Sequence, residues 1–155
     1  MVSILFVCHG NICRSVAAEM IMRQIAEKNK MYSVNVSSAA VSYEEIGNDI
    51  YPPMRRVLSA HKITCSPHAA RRMTPEDYTE YDLLIGMDVD NLKRMQRITG
   101  GDPDQKMHLL MEFAGLPEEE VSDPWYTRDF EKAYDDILRG CQGLLKHIQK
   151  MENLE

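Results

Sequence analysis

Apolar residues along the chain fall into short unbroken runs separated by longer, helically spaced ones. Residues 3–7 (SILFV) and 82–87 (DLLIGM) are continuous apolar stretches, the pattern of strands covered on both faces of a parallel sheet. Residues 33–39 (SVNVSSA) alternate apolar and polar positions and predict another strand, and residues 106–110 a last one. Between the first two, Val16, Ala17, Met20, Ile21, Gln24 and Ile25 recur near helical spacing with Glu19, Arg23 and Glu27 outside, which predicts a helix to about Lys28 with Ser15 as its N-cap.

The remaining helices announce themselves by their ends. Pro52 and Pro53 suit the first turn of a helix reaching about His61, and Ser66, Pro67 and His68 break the pattern beyond it. Thr74-Pro-Glu-Asp is a helix start with a Thr cap, predicting a short helix to about Tyr81. Asp88 caps a helix through Asn91, Leu92, Met95 and Ile98 that stops at Gly100-Gly101. Residues 112–124 read as an irregular acidic loop. Thr127 or Asp129 then opens a long amphipathic helix carrying Phe130, Ala133, Tyr134, Ile137, Leu138, Leu144, Leu145 and Ile148. Four strands alternating with helices predict an α/β fold, a four-stranded parallel sheet with helices on both faces. Ligands in such sheets bind beyond the carboxyl ends of the strands, where Cys8 stands.

Composition narrows the possibilities. A chain of 155 residues, 44% hydrophobic and 27% charged, is long enough to bury a core as one domain, 1–155, without a disulfide or metal framework. Its net charge of -6 argues against a nucleic-acid or membrane-surface partner, so an anionic substrate needs a local positive site. Cys8, Cys13, Cys65 and Cys141 occur without a secretory leader pattern, and no apolar run approaches membrane-spanning length. A reducing, cytoplasmic setting is the expectation. The cysteines and histidines show no paired ligand spacing, so no metal and no cofactor is expected.

The chemistry concentrates in residues 8–15, CHGNICRS. A thiol becomes a strong nucleophile as thiolate, a form favoured by a helix N-terminus and a nearby arginine, and Cys8 has both. The residues between Cys8 and Arg14 (His9, Gly10, Asn11, Ile12 and Cys13) can curl their N–H groups around a tetrahedral dianion, Gly10 and Asn11 tolerating left-handed torsions. Arg14 can hold two phosphoryl oxygens bidentately, and Ser15 can donate a hydrogen bond to the Cys8 sulfur. Taken alone, a cysteine at a strand end is usually a small buried hydrophobe.

The longer stretch VCHGNICRSVAAE resembles the signature of the low-molecular-weight protein tyrosine phosphatase family, V-C-x-G-N-x-C-R-S-P-x-A-E. Asp123-Pro124-Trp125-Tyr126 resembles the family's second motif, and Asp88-x-x-Asn91-Leu92 and His68-x-x-Arg71 extend the likeness over essentially the whole chain. The resemblance implies a phosphocysteine mechanism with Cys8 as nucleophile, Arg14 binding the phosphoryl group and Asp123 as general acid and then base. It also implies that Asn11, Ser15 and His68 support the loop, with Asp88 orienting His68. Cys13 matches a loop cysteine that in relatives can bridge to the nucleophile on oxidation. Tyr43, Trp125 and Tyr126 are expected to wall a cleft for a phenyl ring, favouring phosphotyrosine-containing proteins as substrates. Glu44 and Glu45 beside its mouth are expected to repel acidic substrate flanks.

Two departures stand out: His9 lies where the family varies, and Val16 replaces the usual proline. Family members that hydrolyse phosphoarginine carry Thr in place of Ile12, so Ile12 favours tyrosine. A thioredoxin-coupled arsenate reductase would need resolving cysteines that Cys65 and Cys141 do not resemble. A phosphoryl-carrier subunit of a sugar transport system would not need Arg14 or Asp123. The oligomeric state is left open.

Overall fold

Strand β1, Val2–Cys8, is the axis of the molecule, whose computed structural model describes residues 1–153. It pairs in parallel with β2 (Val34–Ala40) along its whole length, from Val2 against Val34 to Cys8 against Ala40. On its other side it pairs with β3 (Leu83–Gly86), which pairs with β4 (Met107–Leu109). The order is β2-β1-β3-β4, all parallel, so the chain reverses its direction of travel across the sheet at β1. That reversal opens a crevice at the carboxyl end of β1, beside Cys8.

Alternate residues of β1 serve different cores, as the two-residue period of a strand requires. Ile4, Phe6 and Cys8 face α1 (Arg14–Lys28), α2 (Pro52–Ala60) and α6 (Phe130–Asn153), packing with Val16, Met20, Met54, Ile137 and Leu144. Leu5 and Val7 face the opposite side, with Tyr78 of α3 (Asp77–Glu80) and Met95 of α4 (Val89–Thr99). The predicted layers and four strands therefore hold.

Several expected boundaries move for identifiable reasons. Ser15 is not the N-cap: α1 begins at Arg14 with Cys13 as cap residue and no side-chain capping bond, because the Ser15 hydroxyl is engaged with the loop. The helix expected from Thr74 begins only at Asp77, whose carboxylate accepts the Thr74 N–H at 2.8 Å. Thr74 is thus held by the acid it was expected to precede as a cap. The expected acidic loop is partly helical, with a 3₁₀ turn at Leu110–Ala114 and a short α5 at Pro124–Thr127. Asp88 does cap α4, its side chain accepting the Asn91 N–H, and Gly100 ends that helix at φ 81°.

The 3₁₀ turn lies so close to α6 that a Cβ on Gly143 would fall 1.8 Å from the Phe113 carbonyl oxygen, and one on Gly140 2.5 Å from Leu110 Cγ. These helix-interior glycines exchange local helix propensity for contact between backbones. Gly143→Ala is therefore expected to lower unfolding free energy by about 2–3 kcal/mol, despite gaining about 1 kcal/mol of helix propensity. Urea denaturation reads this directly; an unchanged or raised midpoint would contradict it.

Candidate active site

The loop that follows β1 is tied down from both flanks before any side chain is considered. The Cys8 and His9 carbonyls accept the N–H groups of Val41 and Ser42, the Ile12 carbonyl that of Tyr51 at 2.8 Å, and the Cys13 carbonyl that of Ala17. Asn11 takes the left-handed conformation at φ 60°, as short amide side chains tolerate. Gly10, expected to share that role, has no positive φ. Its missing side chain instead admits Glu45, whose Cγ would lie 3.2 Å from an added Cβ.

Asn11 is fully buried and every polar group of its side chain is engaged. Its Oδ1 accepts the Arg71 N–H at 3.2 Å, which orients the amide so that Nδ2 donates to Ser15 Oγ and to Ser38 Oγ, both at 2.9 Å. Ser38 in turn donates to Glu19 Oε1, and Glu19 is paired with Arg23. His68 Nε2 lies 2.6 Å from the Asn11 carbonyl oxygen; a carbonyl only accepts, so that nitrogen carries the proton. Ser15 Oγ sits 3.0 Å from Cys8 Sγ, and the Ser15 N–H points at the same sulfur at 3.4 Å. Asn11 donates to Ser15 Oγ, so the Ser15 proton has two acceptors within reach, the Ala39 carbonyl at 3.4 Å and a Cys8 thiolate.

Arg14 is buried and held from three directions. One terminal nitrogen donates to Asp88 Oδ2 at 2.8 Å and to the Val121 carbonyl at 2.9 Å, while the other lies 3.4 Å from Asp123 Oδ2. Burial alone would favour loss of its proton, but the charges of Cys8 and Asp123 and the hydrogen bond to Asp88 outweigh it, raising its pKa above the usual value. Both carboxylates divide their oxygens. Asp88 Oδ1 caps α4 by accepting the Asn91 N–H, and Asp123 Oδ1 caps α5 by accepting the Trp125 N–H at 3.0 Å, leaving each Oδ2 for Arg14. The expected contact between Asp88 and His68 is absent, since Asp88 is committed to Arg14 and His68 to the loop carbonyl.

These groups open into a cleft of about 560 Å³ lined by the loop, Glu44, Glu45, Asp88, Asp90, Arg94, Asp123, Trp125 and Tyr126. Trp125 is braced by Tyr51, their ring centroids 5.2 Å apart. Tyr43 does not line the cleft: it is 71% exposed, with the Arg72 guanidinium over its ring at 4.3 Å. His9 Nε2 lies 2.9 Å from Glu44 Oε2 at the mouth. Among the described residues no group of histidine, cysteine and acidic side chains is arranged to hold a metal ion, and no helix is long and apolar enough to cross a membrane. Cys141 is fully buried while Cys65 is only partly so. The parts not read from the sequence are Ser38, Glu19, Tyr51 and the Val121 carbonyl. Of these only Glu19 stood within a recognised motif.

The low molecular weight phosphotyrosine protein phosphatase family model matches residues 3–154. The chain is 33% identical to the low molecular weight protein-tyrosine-phosphatase PtpA of Staphylococcus aureus (strain Newman), over 100% of this chain and 99% of that protein. YfkJ from Bacillus subtilis superposes with a TM-score of 0.93 at 33% identity, covering 97% of this chain and 96% of that one. The low molecular weight protein tyrosine phosphatase SP-PTP from Streptococcus pyogenes does so with 0.87 at 35% identity, covering 99% and 97%.

The network makes separate demands on the torsion and the amide of Asn11. Asn11→Ala removes both and is expected to cost about 2–3 kcal/mol of stability and about 100-fold in turnover. Asn11→Gly keeps the torsion, so it is expected to recover stability more than turnover. Thermal unfolding and steady-state rates on both variants check this; equal behaviour of the two would show that the amide bonds carry everything.

Proposed function

The chain belongs to the low molecular weight phosphotyrosine protein phosphatase family and is a protein-tyrosine phosphatase, and we propose that Cys8, Arg14 and Asp123 carry its reaction. The thiolate of Cys8 attacks phosphorus as the bond to the phenolic oxygen breaks, forming a phosphorus–sulfur bond. Asp123, in its acid form, gives its proton to the departing oxygen. In the second step Asp123 takes a proton from water, the water oxygen attacks phosphorus, and Cys8 leaves as thiolate. Loop N–H groups from His9 to Ser15 and the Arg14 fork receive the phosphoryl oxygens, while Ser15 hydrogen-bonds the sulfur when it departs.

The observation that carries this reading is the double duty of Asp123. Its Oδ1 is fixed by the Trp125 N–H while its Oδ2 faces Arg14 in the cleft that also contains Cys8. A helix cap alone would not require the second oxygen to face a buried cation. Trp125 and Tyr126 on the rim, with the apolar Ile12 in the wall, suit an aryl phosphate on a protein better than the shorter phosphoserine.

We also propose that Cys13 resolves peroxide damage. Peroxide converts the Cys8 thiolate to a sulfenic acid, releasing hydroxide; the Cys13 thiolate then attacks that sulfur, a disulfide forms and a second hydroxide leaves. Burial, then the charges of Cys8 and Asp123, push the Cys13 thiol well above its ordinary range, so the attacking thiolate is scarce at neutral pH and grows as pH rises. Oxidation of Cys8 to a neutral sulfenic acid removes one of those opposing charges.

Cys8→Ser is expected to abolish aryl phosphate hydrolysis. Asp123→Asn should lose about 10²–10⁴-fold on leaving groups of high pKa and far less on activated ones, seen by plotting rate against leaving-group pKa; an unchanged slope would remove Asp123 from its role. After peroxide, Cys13→Ser should regain less activity with added thiol than the parent, whose disulfide should form faster at higher pH. Equal recovery in the two proteins would exclude the bridge.

A further inference from the structure

The rim of the cleft is electrically divided. Glu44 and Glu45 stand on one side, and Asp90 and Arg94 on another, paired to each other at 2.9 Å. Arg94 also lines a second, shallower depression of about 280 Å³, with Arg72, Arg97, Val41, Pro75 and Ile98. Three guanidinium groups therefore surround one concavity directly beside the catalytic cleft, on a chain whose net charge is -6.

Six of the ten arginines, Arg14, Arg23, Arg55, Arg71, Arg94 and Arg139, each face a carboxylate within ion-pair distance. Among the described residues Arg56, Arg72, Arg97 and Arg128 have none, and of these Arg72 and Arg97 line the same depression. Arg72 is held without one, its guanidinium stacked on the face of Tyr43 and its backbone bridged to Ala40 at the end of β2. Its Nε is shut away from solvent with no hydrogen-bond partner, so the terminal nitrogens are the donors it can offer a ligand. Stacking leaves the in-plane donors of a guanidinium open, the geometry that receives a phosphate or carboxylate.

We propose that the Arg72, Arg94 and Arg97 depression is a second anion site, taking a phosphoryl group on the same substrate chain as the phosphotyrosine and a few residues from it. The proposal rests on the phosphatase reading above and adds an orientation to it. A second phosphate is drawn to the arginine side, and acidic groups are repelled from the Glu44 and Glu45 side. Tyr43, excluded from the catalytic cleft, acquires a role as the platform that holds Arg72.

The test compares phosphotyrosine peptides bearing a phosphoserine two to four residues before or after the tyrosine with the singly phosphorylated peptide. One doubly phosphorylated register is expected to gain about 5- to 10-fold in kcat/KM, through KM, and to lose the gain as salt rises. Arg72→Gln with Arg97→Gln should erase the gain and leave aryl phosphate hydrolysis within about twofold, which separates failure of this site from failure of the catalytic reading. Arg97→Glu, an exposed change without lost bonds, should turn the gain into a penalty and covers the case in which the double variant misfolds. No gain in any register, or a gain that survives Arg97→Glu, overturns the proposal. Inorganic phosphate altering parent kcat on aryl phosphate, with no preference among the peptides, would assign the site to free phosphate and overturn it equally.

Discussion

A guanidinium buried as deeply as that of Arg14 persists only when its charge is met by partners that cannot drift away. Here the partners are parts of the fold. Asp88 is the second residue beyond β3 and caps α4, Asp123 caps α5, and the Val121 carbonyl is brought in by a strand-like bond from the Val121 N–H to Met87 O. Each carboxylate satisfies a helix end with one oxygen and a cation with the other. The cation-binding geometry is thus as rigid as the two helix starts, and the guanidinium of Arg14 is held in place by them. Preorganisation of this kind is what lets charge stabilise a transition state without reorganisation at the moment of reaction.

The sulfur side of the site depends on a second device, a buried polar network complete enough to be stable. Asn11 sits at its centre because only a short amide tolerates the left-handed torsion while reaching both serines. From it the bonds run to Ser15 and Cys8 in one direction and to Ser38 and Glu19 in the other. The loop is therefore braced by β2 and α1 as well as by its own turn. The same network explains why Ser15, a favourable capping residue by type, does not cap: its hydroxyl is more valuable against the sulfur than against the helix end.

Charge at the rim follows a different logic from charge within. Inside, opposite charges are matched closely; outside, Glu44 and Glu45 lie on the cleft rim while Arg72 and Arg97, which face no carboxylate among the described residues, line the neighbouring depression. Exposed fields of this sort are screened over about 8 Å at physiological salt. In the reading proposed above they act on the residues immediately flanking a bound tyrosine and leave the chemical step alone.

Local signals in the chain were enough for the strands and the α4 cap at Asp88, because apolar period and capping residues are short-range properties, whereas the loop from Cys8 to Ser15 and the motif at Asp123 were singled out by resemblance to a family. The start of α3, the 3₁₀ turn at Leu110–Ala114 and the true neighbours of Tyr43 and Asp88 were not legible, because each depends on what arrives from elsewhere. Asp88 meets Arg14 across 74 positions and the Val121 carbonyl meets it across 107. By itself the sequence determined which groups could do chemistry on a phosphate and on which kind of sheet they would stand. Only the tertiary structure decided that Asp88 serves Arg14 and not His68, that Tyr43 serves Arg72 and not the cleft, and that the Asp123 carboxylate both caps a helix and faces a buried cation. Ion pairing and stacking act through a few ångströms of space, and closeness in space is set by how the strands cross.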